Sequence, residues 1–240
     1  MTERLRYTSG VPTLLLCTFF LTPSALAHRP TFSDGSATDP NAAHEIKEVD
    51  VSQVVYHELT QDAQQLWLTF EAEKDYVLFV QIGVPVLDRL KDYRPAVVLL
   101  GPGLPEVDLP FGIPAGLGGK IISTDDVTEP RLFHEHFTDT RSWILKELDI
   151  PLPASGRYYL VAYHPTGTPG KVWVAVGKLE RFGLGDLLKF RQWTIQARRF
   201  HEERVGLGLP RIPCAASATL MLTALGALAS GLFASRCSRP

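Results

Sequence analysis

The chain has 240 residues, with 24 basic and 26 acidic side chains and a formal net charge of −2. No charged residue lies between Tyr7 and Ala27, and none lies between Cys214 and Ser235, so His28 to Pro213 is the material for a soluble fold. That length suits one medium domain with an appendage, and the composition excludes disorder, collagen, a disulfide-stapled miniprotein and a polytopic membrane protein.

The first 27 residues read as a secretory signal. Arg4 and Arg6 form a short basic region, and Leu14, Leu15, Leu16, Phe19 and Phe20 build an apolar core. Pro23 ends its helix, and Ala25-Leu26-Ala27 has the small-x-small form of a cleavage site, so the mature chain is expected to begin at His28. At the other end, residues 213–235 are expected to form a transmembrane helix. The 21 residues from Cys214 to Ala234 cover a hydrocarbon core of about 30 Å at about 1.5 Å per residue. Residues 236–240, with Arg236 and Arg239, then form a cytoplasmic tail. Arg198, Arg199, Arg204 and Arg211 before the span oppose this orientation, but a translocated domain carries its own charges across, and the signal decides. Gly226 with Ser230 and Ala227 with Gly231 place small residues four apart, which suits a homodimer through this helix. The expected protein is therefore a single-pass cell-membrane protein whose N-terminal domain faces the periplasm or the cell exterior. Cys17, Cys214 and Cys237 all lie in or beside the apolar ends, so the exported domain holds by its core alone.

Charge divides the body. His28 to Ile150 has 10 basic and 21 acidic residues, whereas Pro151 to Pro213 has 10 basic and 4 acidic. A basic collar beside anionic headgroups makes the lipid bilayer a partner, and the acidic body argues against nucleic acid. Residues 28–50 read as an extended N-terminal arm. Residues 51–180 read as a mainly β domain, an antiparallel jelly-roll-like β-sandwich. Gln65 to Ala72 alternates apolar and polar residues, and Tyr76 to Val84 is rich in β-branched and aromatic residues. Leu87 to Asp92 looks like one helical turn, and Pro95 to Leu100 like a buried strand. Leu104 to Gly119, rich in Pro and Gly, is long enough for a binding loop. Lys120 to Ser123, Leu132 to Phe137 and Ser142 to Lys146 are shorter strands, and Arg157 to His164 with Lys171 to Lys178 is expected as a hairpin. Residues 181–212 read as a juxtamembrane amphipathic helix and linker. Leu187, Leu188, Phe190, Trp193, Ile195 and Phe200 recur at helical spacing, with Asp186 as N-cap. That helix either packs on the sandwich, the favoured reading, or lies at the membrane surface with Trp193 at headgroup level.

Three runs carry a resemblance. They are Trp67-Leu68-Thr69-Phe70-Glu71-Ala72, then Arg94 to Gly103 (RPAVVLLGPG), then Ala154 to Tyr163 (ASGRYYLVAY), before a closing strand. Their order resembles the bacterial pre-peptidase C-terminal domain, a small jelly-roll-like sandwich of secreted proteins, over roughly Val54 to Gly177. The resemblance implies a binding or accessory module. The long loop after Gly103 and the membrane tail depart from that pattern.

Motifs of catalysis do not occur: there is no Gly-x-Ser-x-Gly, no phosphate loop around Gly118-Gly119-Lys120 and no His-Glu-x-x-His. The chain is therefore expected not to be an enzyme. One constellation invites a metal. His134-Glu135-His136 puts two imidazoles on one face of a strand with Glu135 on the other, and cleavage after Ala27 would give His28 a free amine beside its imidazole. His28, His134 and His136 are the candidate ligands, for copper or zinc, in the manner of a histidine brace; surface or structural histidines are the alternative. Trp67, Tyr158, Tyr159, Tyr163 and Trp173 are candidates for a glycan platform. The functional expectation is a membrane-anchored extracytoplasmic binding or scaffolding module with a protein or glycan partner, the alternative being a periplasmic metal-binding protein.

Overall fold

Alternation along β4 (Gln65–Ala72) sets the architecture. Leu66, Leu68 and Phe70 point into a core between two sheets, and Trp67 points the opposite way into a second apolar layer. The structure, a computed structural model, describes residues 28–181 and 184–205. The expected signal segment, the spanning helix at 213–235 and the tail lie outside the described residues. Among those described, no helix is long and apolar enough to cross a membrane.

In chain order the strands are β1 (Arg29–Phe32), β2 (His44–Glu45), β3 (Gln53–Leu59), β4, β5 (Val77–Pro85), β6 (Ala96–Gly101), β7 (Gly118–Ile122), β8 (Arg131–Glu135), β9 (Thr140–Pro151), β10 (Gly156–Tyr163) and β11 (Gly170–Val176). A 3-10 turn, Asp88–Leu90, follows β5 where one helical turn is expected. Two short helices, α1 (Leu184–Leu187) and α2 (Phe190–Phe200), close the described part. One sheet has six strands in the order β1-β3-β11-β5-β9-β8, and the other has five in the order β2-β4-β10-β6-β7. Val55, Val80, Ile82 and Val174 of the first face Leu68, Phe70, Leu99 and Leu160 of the second.

Three expectations are corrected. The sheets are mixed rather than antiparallel: β1 runs parallel to β3, and β2 parallel to β4. Both parallel strands come from the expected arm, which lays one short strand along an edge of each sheet and satisfies edge N–H and C=O groups that would otherwise stay open. Secondly, β10 and β11 are not a hairpin. β10 lies between β4 and β6, whereas β11 lies between β3 and β5 in the other sheet. Both strands are buried on both faces, as the central strands of two covered sheets must be. Thirdly, α2 starts at Phe190, and Lys189 occupies its N-cap without a side-chain cap bond. Asp186 instead makes an ion pair with Arg29, the first residue of β1, at 3.0 Å.

Each sheet has its outer face covered. On the five-stranded sheet the expected binding loop packs Val107, Leu109, Phe111 and Ile113 over Trp67, Val98, Val161 and Tyr163. Phe111 meets Trp67 and Tyr163 edge-on, with ring centroids 5.8 and 5.1 Å away. On the six-stranded sheet α2 is the cover, so the helix packs on the sandwich. Its Ala197 is fully buried, and Phe200 stands 4.9 Å from Tyr56 of β3. Four of the cations after Pro151 pair with carboxylates of the acidic body. Lys178 pairs with Asp149, Arg181 with Glu48, Arg157 with Glu71 and Arg198 with Asp139.

Trp173 of β11 requires a glycine beside it. A Cβ on Gly83 would lie 2.2 Å from the Trp173 Cζ2, so only Gly lets the indole lie flat on β5. Gly83→Ala is expected to lower stability by about 1–3 kcal/mol through overpacking. Gly112→Ala, where the new methyl would meet nothing within 4 Å, should stay within about 0.5 kcal/mol of the parent. Urea unfolding of both variants checks the pair; equal midpoints would refute the close approach.

Candidate functional site

The outer face of the six-stranded sheet carries aromatic residues at strand period two. Tyr56 and Trp173 are paired neighbours on β3 and β11, and Phe133 and Glu135 alternate on β8. Val54, Ile144, Trp173 and Ala175 form an apolar floor there. α2 crosses above this face without filling it, and a cavity of about 170 Å³ remains. Its aromatic lining is Tyr56, Phe133, Phe137, Trp173, Phe190 and Trp193, the last two from the helix side. Its polar lining comes from His28, Gln81, Glu135, Thr138, Thr140 and Ser142.

A hydrogen-bonded relay holds the roof to the floor. The Trp173 indole N–H donates to Ser142 Oγ at 3.1 Å, and Ser142 Oγ is 3.0 Å from His201 Nε2. His201 Nδ1 lies 2.8 Å from the carbonyl of Ala197. A carbonyl only accepts, so Nδ1 carries the proton, Nε2 is the acceptor and the Ser142 hydroxyl donates to it. Burial lowers the His201 pKa to about 4, which keeps the ring neutral as this relay requires. Below His201, Lys171 Nζ donates to the Phe200 carbonyl at 2.9 Å and to Glu202 at 2.8 Å, and Arg89 binds the same carboxylate. Arg89 first, then Lys171, holds the Glu202 pKa down to about 2.

Ser142 and His201 have the contact of a nucleophile and its base, but the serine oxygen already accepts the Trp173 N–H. A histidine held near pKa 4 is also a weak base at neutral pH. The pair works as a bolt between helix and sheet. Elsewhere on the wall, Gln81 Nε2 donates to Glu147 at 2.6 Å, and Glu147 also pairs with Arg131 at 3.1 Å. Thr138 and Thr140 bond each other at 2.8 Å. Glu135 accepts the Phe137 backbone N–H at 3.0 Å, and burial, the largest influence on it, raises its pKa.

The three candidate metal ligands divide. His134, on β8, and His136, in the turn that follows it, are both exposed with ring centroids 4.4 Å apart, and His134 Nε2 pairs with Asp139 at 3.0 Å. Glu135 turns away from them into the cavity, as strand alternation predicts. His28 is not brought to them. It precedes β1, at the opposite edge of the sheet from β8 with four strands between, and it lines the cavity hydrogen-bonded to Ser52. Burial lowers its pKa to about 4. Among the described residues, no group of three His, Cys, Asp or Glu is placed to hold a metal ion. The glycan candidates divide too: Tyr158 lies between the sheets, Trp67, Tyr159 and Tyr163 lie under the long loop, and Trp173 lies in the other sheet. The cavity itself was not anticipated, although the period-two pattern Phe133, Glu135, Phe137 was its visible signal.

Burial holds His28 and His201 at about pKa 4 and also lowers His57, His44 and His164 below the ordinary 6.5, so the unfolded chain takes up these protons first as pH falls. Stability is therefore expected to be constant above about pH 7 and to fall between about pH 6.5 and 4, with His201 contributing up to about 3 kcal/mol. Urea midpoints at pH 7.5 and 5.0 read this, and His201→Gln should flatten the slope. An unchanged slope would refute the His201 share and leave the uptake to His28, His44, His57 and His164.

No known protein family matches the sequence, and no curated protein matches it. Solved structures with some likeness include the pre-peptidase C-terminal domain of a collagenase from Bacillus anthracis, 10% identical, with a TM-score of 0.28 over 56% of this chain and 93% of that one. Aeromonas hydrophila PliG, a periplasmic inhibitor of g-type lysozyme, is 14% identical, with a TM-score of 0.33 over 63% of this chain and 98% of its own. The secreted copper-binding protein MopE of Methylococcus capsulatus is 11% identical, with a TM-score of 0.23 over 48% of this chain and 70% of that chain.

Proposed function

We propose that the chain is a non-catalytic, extracytoplasmic binding module, tethered to a membrane by residues 213–235, whose ligand enters the cavity between the six-stranded sheet and α2. The cavity carries this reading. Six aromatic side chains enclose about 170 Å³ beside a few polar groups, which is how small-molecule sites are built. The volume is close to that of an engineered apolar cavity of about 150 Å³ that takes benzene, so a ligand of one ring or similar bulk fits. The compartment rests on the leader pattern ending at Ala27 and on cysteines confined to the apolar ends. The absence of catalysis rests on the Ser142–His201 pair being engaged in the Trp173 relay.

Trp173 and Trp193 line the wall, so ligand entry should change tryptophan emission. Titration with single-ring probes such as toluene and benzyl alcohol is expected to saturate, and Trp193→Ala to weaken binding about tenfold or more. No saturable response in the folded wild type would end the cavity reading. Turnover of a short-chain ester that Ser142→Ala abolishes would overturn the non-catalytic part.

A second reading keeps a metal at His134 and His136 alone, favoured by their ring contact of 4.4 Å. Copper or zinc binding should then vanish in a His134→Ala, His136→Ala double variant and be unaffected by Trp193→Ala. Binding that survives the double variant, or that is absent altogether, would refute it.

A further inference from the structure

The cavity wall holds two oxygens that only accept and have no hydrogen bond. Trp173 N–H, the Ser142 hydroxyl and the Gln81 amide N–H are all donors, and each already has a protein acceptor. Thr138 and Thr140 satisfy each other save for one hydroxyl proton. Among the described lining residues, the second carboxylate oxygen of Glu135 and the carbonyl oxygen of Gln81 have no hydrogen bond, and neither do the Tyr56 hydroxyl and His28 Nε2. The first two only accept.

Charge points the same way. Glu135 is the one carboxylate on the lining, and no Lys or Arg lines the cavity with it. His28, the lining histidine, is held neutral at neutral pH by burial. A carboxyl group set among aromatic rings, with the Phe137 backbone N–H as its hydrogen-bond partner, gives the N–H groups of an incoming ammonium an acceptor inside an apolar cavity. The faces of Trp173, Trp193 and Tyr56 attract cations by their quadrupoles, more strongly once water has left.

From this arrangement we infer that the cavity is selective for a small organic ammonium: a protonated primary or secondary amine on an apolar body no larger than one ring. The N–H donors meet Glu135 and the Gln81 carbonyl, and the apolar body fills the space between the sheet and α2. The inference rests on the cavity being the binding site, and it adds the charge of the ligand.

The test uses the full chain in detergent micelles at pH 7.5, titrated calorimetrically with three probes of one shape: benzylammonium, benzyl alcohol and benzoate. Benzylammonium is expected to bind at least tenfold more tightly than benzyl alcohol, and benzoate more weakly than both. Glu135→Gln keeps an oxygen for the Phe137 N–H, so the fold should persist with an unchanged or raised Tm. It should bring benzylammonium to the affinity of the alcohol while leaving the alcohol unchanged. Equal affinity for ammonium and alcohol, preference for benzoate, or indifference of ammonium binding to Glu135→Gln would overturn the inference while leaving a binding cavity in place. Failure of all three probes to bind would overturn both.

Discussion

The third layer of this protein depends on one contact, the Trp173 indole lying on Gly83. With no side chain on β5 at that point, the ring lies across two strands and turns its N–H toward β9, where Ser142 accepts it and passes a hydrogen bond to His201. His201 closes the relay on the Ala197 carbonyl, one turn back in α2. Every polar atom of the relay is buried and partnered, and such networks specify geometry because a half-satisfied version costs more than an apolar substitute. Lys171 and Glu202 secure the end of the same helix. The helix is therefore set at a fixed height over the sheet, and that height leaves the cavity open.

The two outer faces are closed by different means, with different consequences. A loop is deformable, and the segment between β6 and β7 sends Val107, Leu109, Phe111 and Ile113 down into the gaps around Trp67 and Tyr163. A helix is stiff. α2 presents side chains only at its own period, so Phe200 and Ala197 meet the sheet near the helix end, while Phe190 and Trp193 stand as walls around unfilled space. The arm completes the enclosure. Pro30 and His28 form its near wall, and the Arg29–Asp186 pair ties the arm to the segment that leads into the helix.

Much of the local structure was legible in the residues, because period two and β-branching act over short stretches. β4, β5 and β6 lie where alternation and apolar runs put them, and the single turn after β5 and the amphipathic helix are present. β3 was missed because Gln53 to Leu59 mixes buried Val55 and Leu59 with His57, a polar residue at a core position. The partnership of strands was not legible. β10 and β11 read as neighbours because each is apolar and a turn joins them, and that same doubly apolar pattern is what any central strand shows in either sheet. The arm reads as extended but without strand partners, because its strands are too short to show a period and gain their hydrogen bonds from β3 and β4.

For the site, the sequence by itself determined which side of β8 each residue takes. His134 and Glu135 take opposite sides, because side chains on a strand alternate whatever the strand packs against, and His136, in the turn after β8, stays beside His134. It also determined the charge division and the cysteine-free body, which are sums over composition. Only the tertiary structure decided that Glu135, and not the two histidines, faces the cavity under α2, and that His28 lines it with Glu135. That space lies between His28, Gln81, Ser142 and Trp193, which are far apart along the chain. Their meeting depends on sheet order and on the height of a helix, and both are long-range consequences of packing that no local pattern encodes.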